Sequence, residues 1–233
     1  MNRTVSVLMV LAGLWLSPGA RGDTLYLKDG SILVGTVSDG AADRYLLSSP
    51  VFGEVSIPRA NVVYWATDDP NALFESYRIM GAGLGVIGQL VRPVPEQIQG
   101  RDRFSLLVPG DVWTVTDTAG EPVPFIPRLL GEASHLTMDY NDLPAGTTRL
   151  IITTWQAGLL EQTPSGDLAL RLQYILDQER DVRVVVTYPV GMTVKAINPQ
   201  ASTHLPGLIV WQRHLVRQQQ FAPEVVLGLD GRR

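Results

Sequence analysis

The chain has 233 residues, a formal net charge of −4 and 45% hydrophobic residues, enough for one large or two small domains around a hydrophobic core. It contains no cysteine, which excludes disulfides, thiolate metal sites and thiol nucleophiles together. The acidic balance and the lack of a basic cluster exclude the ordinary nucleic-acid binders, which need Lys and Arg to displace counterions.

The first residues read MNRTVSVLMVLAGLWLSPGARG. Arg3 precedes an apolar run from Val5 to Leu16, Ser17, Pro18 and Gly19 break it, and Ala20 and Gly22 are the small residues of a cleavage site before Asp23. This is the layout of a secretory signal peptide over residues 1–22, and its apolar run is shorter than the ~20 residues that span a bilayer. With no cysteine at the site, a lipid-anchored lipoprotein is excluded. Cleavage would remove Arg3 and Arg21 and no acid, moving the net charge from −4 to −6. The expectation is an exported protein of the periplasm or cell exterior, with no membrane span in the mature chain.

Residues 23–66 alternate between strands and turns. DTLYLKDGSILVGTV holds two apolar runs around Asp29-Gly30, a strong hairpin signal because both residues tolerate positive φ. Leu25 and Leu27 fall on one face, Thr24, Tyr26 and Lys28 on the other. RYLLSS, GEVSIP and NVVYW follow, making five short strands, few enough to favour a small closed barrel. LYLKDGSILVGTV together with GEVSIPRANVVYW resembles the Sm-like, SH3-like small barrel at the front of many exported bacterial proteins. The resemblance implies a fold only. RNA-binding members of the wider fold use an Asn in one loop and an Arg/Lys-Gly pair in another, and the last loop here reads Pro58-Arg59-Ala60-Asn61.

Residues 67–101 read as a short helical, glycine-rich joint and a Pro-rich linker. Asp69 suits an N-cap, Pro70 the first helical position, and Leu73, Phe74, Tyr77 and Met80 recur at helical spacing. Inside GAGLGVIG, Gly83-x-Gly85-x-x-Gly88 matches the dinucleotide-binding fingerprint, which must follow a buried strand and open a helix. Here the glycines are expected to follow a helix, and Pro93 and Pro95 fall where the required helix should continue. No nucleotide or other cofactor is expected, and the glycines are read as a packed joint.

Residues 102–233 read as an antiparallel β-sandwich. LTMDYNDLPAGTTRLIITT from Leu136 and LRLQYILDQERDVRVVVTY from Leu170 match at an offset of 34, with Leu136, Tyr140, Arg149 and Thr153 answering Leu170, Tyr174, Arg183 and Thr187. The β-branched runs and polar turns favour stacked hairpins, with both faces of the LIIT and VVVT runs buried. The tail adds three further short strands. Loosely, this part resembles the immunoglobulin-like or transthyretin-like accessory domains of exported bacterial proteins. The fold class expected is thus mainly β: barrel, joint, sandwich.

Local chemistry is sparse. His135, His204 and His214 show no metal-ligand spacing, and no serine elbow or paired catalytic carboxylates stand out. Trp113, Trp155 and Trp211 could stack on sugar or pack a core, Trp155 being placed best for exposure, just past its strand. The expected function is a non-enzymatic envelope protein that binds another envelope protein as a structural or assembly module. The alternatives are a carbohydrate-binding module that stacks polysaccharide on exposed tryptophans, and a hydrolase with a loop-assembled site.

Overall fold

The computed structural model describes residues 23–28, 32–49, 53–66, 72–80, 85–118, 120–189 and 191–229. The expected signal peptide lies outside them, as do Asp69, Pro70, Gly81 and Gly83. The protein is mainly β, with several antiparallel sheets, and among the described residues its helical content is confined to 3-10 turns.

The first unit comprises β1 (Asp23–Leu27), β2 (Ile32–Asp39), β3 (Arg44–Ser49), β4 (Gly53–Pro58) and β5 (Val62–Ala66), in the sheet order β4-β3-β2-β1-β5. β2 pairs with β1 through Gly35 and with β3 from Thr36 onward, so it changes partner at the glycine. A Cβ on Gly35 would sit 2.4 Å from the Ser48 carbonyl oxygen, so only glycine permits this close crossing. Leu25, Val37, Leu47 and Ile57 form the core, joined by Val55 of β4 and Val62 of β5. Both outermost strands feed one core, so the sheet curls on itself. A 3-10 turn, Arg59–Asn61, links these strands, and no β4–β5 ladder closes the barrel among the described residues.

The second unit starts earlier than the sequence suggests. β6 (Leu73–Met80) and β7 (Gly85–Pro93) occupy the region read as a helical joint, and they are central strands of a seven-stranded sheet. The sandwich therefore begins at Leu73 rather than at residue 102. The physical reason is Glu75. Leu73, Glu75, Tyr77 and Ile79 alternate inward, a period of two that a buried carboxylate disguises, while the apolar residues alone fall at helical spacing. Gly85 and Gly88 lie within strand β7, so no helix opens after them.

Beyond them come β8 (Arg103–Pro109), β9 (Asp111–Asp117), β10 (Ile126–Leu130), β11 (Ala133–Asp139), β12 (Arg149–Gln156), β13 (Leu160–Gln162) and β14 (Leu168–Arg171). The chain continues through β15 (Tyr174–Ile175), β16 (Arg180–Thr187), β17 (Met192–Asn198), β18 (Thr203–Leu205), β19 (Leu208–Leu215), β20 (Gln220–Phe221) and β21 (Glu224–Leu229). The tail thus forms five strands where three are expected. The seven-stranded sheet runs β18-β19-β16-β6-β7-β12-β9, antiparallel except for the parallel β6–β16 pair. Three smaller sheets, β10-β11-β8, β13-β14-β21-β17 and β15-β20, cover its inner face. Leu90, Val184 and Trp211 of the large sheet meet Leu136, Leu170 and Leu227 of the small ones in one core.

The two similar segments are not hairpins. β11 and β12 lie in different sheets, as do β14 and β16, so each copy is an arch that sends its first strand to the covering layer and its last to the large sheet. β12 and β16 run in the same direction there, on either side of β6 and β7. Their burial differs. All of Val182–Val186 is buried in β16, whereas in β12 Ile151 and Thr153 are only half-buried. The first unit makes the difference, because Tyr26 packs on Val185, Leu208 and Val210 of the outer face, with Val63 and Tyr64 beside it.

Candidate functional site

The three tryptophans have three fates. Trp211 is 1% exposed, in the core, and donates its indole N–H to the Pro199 carbonyl at 2.8 Å, so it cannot contact a ligand. Trp155 is half-buried, and the most exposed of the three is Trp113, at 54%. Trp113 and Trp155 stack with ring centroids 5.6 Å apart and planes 5° from parallel. Two backbone devices build this pair. A Cβ on Gly85 would come within 1.8 Å of the Trp155 ring, so glycine there lets the indole lie over β7. Thr153 pairs with Thr114 and Thr154 with Val112, which leaves Trp113 as the extra residue of a β-bulge, a device that re-aims a side chain. The stack covers one face of Trp113, and the side chain stays 54% exposed.

A buried polar cluster that sequence reading missed ties β6, β7 and β15 together. Glu75, 3% exposed, accepts hydrogen bonds from the Tyr77 hydroxyl at 2.5 Å and the Tyr174 hydroxyl at 2.6 Å, and its other oxygen pairs with Arg92. Burial, then the Glu75 charge, pushes both phenols well above their ordinary value of 10. The tyrosines therefore keep their protons, and the carboxylate accepts from three donors, two on one oxygen and one on the other. A cavity of about 390 Å³ opens beside the cluster, lined also by Gln156, Leu159 and Leu172. The arrangement cross-links strands, and its protons are held rather than exchanged.

The histidines are surface residues of strands. His135 lies between Arg128 and Leu107 across β11, and His204 is in β18. His214 of β19 has Nδ1 2.9 Å from Asp181 Oδ1 and Nε2 2.9 Å from Glu179 Oε1. The hydrogen bond to Asp181, then that to Glu179, raises its pKa above 6.5. Histidine and carboxylates meet here on open strand surface, and the cluster lines neither the cavity beside Glu75 nor the cleft between the two units. Among the described residues no group of three or more His, Asp or Glu side chains is placed to hold a metal ion. In the first unit, Arg59 pairs with Asp39 and lies 4.3 Å over the Tyr45 ring.

The most exposed apolar feature is β10. Among the described residues it pairs with β11 on one side only, and all five of its residues are exposed. Ile126 at 63% and Leu129 at 60% are joined by Leu130 at the end of the strand and by Leu107 of β8, across β11, at 65%. Natural sheets blunt such edges with charge, bulges or covering loops. The edge did leave a sequence signal, since Pro127 inside a short apolar run marks an edge strand.

No protein-family model matches the chain, and a search of curated proteins found no match. No helix among the described residues is long and apolar enough to cross a membrane.

Proposed function

We propose that this is an exported, non-enzymatic protein of the cell envelope that binds another envelope protein by accepting a strand along β10. The observation that carries the reading is an edge strand paired on one side, exposed at every residue and rich in large apolar side chains. An added strand gains backbone hydrogen bonds from the open edge, and side-chain contacts with alternate residues give selectivity. Ile126, Arg128 and Leu130 share one face by strand alternation, so the fitting partner carries an acid opposite Arg128 between two apolar residues. A second copy fits poorly, because pairing centred on the strand would set Arg128 against Arg128. The secretory leader and the resemblance of residues 23–66 to barrels of exported proteins support the envelope setting.

The test is affinity capture from crosslinked, detergent-solubilised envelope, read by mass spectrometry, with wild type beside the double variant Ile126→Lys, Leu129→Lys. One or two enriched proteins that the variant loses are expected. Capture of the bait alone, or equal enrichment by both, contradicts the reading. A second reading, carbohydrate binding, is favoured by the stacked tryptophans, because Gly85 and the bulge at Trp113 together present an exposed indole. A single exposed indole offers one sugar station rather than a long platform. A glycan array with Trp113→Ala as control tests it, and signal unchanged by the substitution excludes that station.

A further inference from the structure

Where the barrel meets the sandwich, a cleft of about 260 Å³ opens between β1 and β5 on one side and the ends of β6, β16 and β19 on the other. Its floor is apolar and aromatic, with Tyr26 and Leu208 both buried. Lys28 and Arg78 stand exposed among its lining residues, and among the described residues that line it none is acidic. Neither cation forms an ion pair among the described residues. Burial, then the neighbouring Tyr64, holds the Tyr26 phenol protonated. In a chain of net charge −4, a cleft lined by two cations and, among the described residues, no acid runs against the average. Low-dielectric walls focus the field of such cations on the space between them.

We propose that this cleft binds a small organic acid, its anionic group held at Arg78 and Lys28 and its apolar body on Tyr26 and Leu208. The volume falls below the ~300–1,000 Å³ of drug-sized sites, which suits one ring or a short aliphatic chain bearing the acid. The lining residues come from both units, so an occupant touches both and strengthens the docking of barrel on sheet. The site is independent of β10 and of any partner there.

The test is calorimetric titration of the purified protein at low ionic strength with benzoate, with benzamide as the neutral isostere and inorganic phosphate as an anion without an apolar body. Arg78→Gln is the variant, chosen because Arg78 is exposed and its loss leaves the fold intact, as an unchanged Tm would verify. Benzoate should bind one-to-one, benzamide and phosphate about tenfold more weakly or not at all, and Arg78→Gln should weaken benzoate by about tenfold. Amide shifts on titration should centre on Thr187, Gly207 and Leu208. The proposal is overturned by absence of benzoate binding at about 10 mM, by phosphate or benzamide binding as tightly, or by Arg78→Gln binding benzoate like wild type.

Discussion

On the outer face of the seven-stranded sheet, β16 and β19 carry Val185, Leu208 and Val210 into a core shared with Tyr26 of the barrel. On the far side of β6 and β7, β12 and β9 turn half-buried Ile151 and Thr153 and the stacked Trp155 and Trp113 outward on the same face. β12 and β16 come from the two similar segments, run in one direction and share inner-face packing, so what separates them is one covering layer. The covered strand reads RVVVT and the open one RLIITTW; in the open strand Thr153 and Trp155 face outward, where among the described residues no third layer packs, while Thr154 is buried on the inner face. A sheet face left without a layer has either to be polar or to be used, and here it carries a constructed aromatic pair.

The largest effects should fall on the covered and internal positions. Trp211→Ala removes a fully buried indole and should cost about 3–5 kcal/mol, and Leu208→Ala, at the seam with the barrel, about 2–5 kcal/mol, both read by denaturant unfolding. Gly85→Ala comes next. Its methyl would meet the Trp155 ring at 1.8 Å, so about 1–3 kcal/mol and loss of the paired-indole signal in circular dichroism are expected. Trp113→Ala should cost only about 0.5–1.5 kcal/mol, the worth of an aromatic pair at an exposed site. A cost for Trp113→Ala equal to that for Leu208→Ala would erase the distinction between the two halves.

The smallest effect is electrostatic. His214 is exposed, and its pKa is raised by Asp181 and then Glu179, so its folded value lies above the ordinary 6.5. A raised value means that the stabilisation is complete below about 6.5 and is lost as pH rises through the folded value. An NMR titration should place the His214 midpoint above 6.5, and Asp181→Asn should bring it down towards that value. A midpoint unmoved by Asp181→Asn would show that the hydrogen bond does not set it.

What could be read from the sequence follows what is local. Strand alternation placed Leu25 in the barrel core and Tyr26 on the opposite face, but the covering sheet that buries Tyr26 comes from residues more than a hundred positions away. The similarity of the two segments was visible, and their layering was not, because alternation fixes which face a side chain takes and says nothing of which sheet the strand joins. β6 read as helix because Glu75 interrupts its alternation, and its compensation by Tyr174 spans 99 residues. Trp155 was expected to be the exposed tryptophan. The bulge that exposes Trp113 instead depends on the register against β12, which pairs residues some 40 positions apart.

Strand addition at β10 is tested most directly by hydrogen–deuterium exchange with and without the captured partner. Peptides covering residues 126–130 should slow by about tenfold or more on binding, as an open edge gains a second row of hydrogen bonds, while β9 and β12 stay unchanged. Exchange unaltered over β10, with protection around Trp113 and Trp155, would contradict the edge-strand reading and move the binding surface to the open half of the sheet.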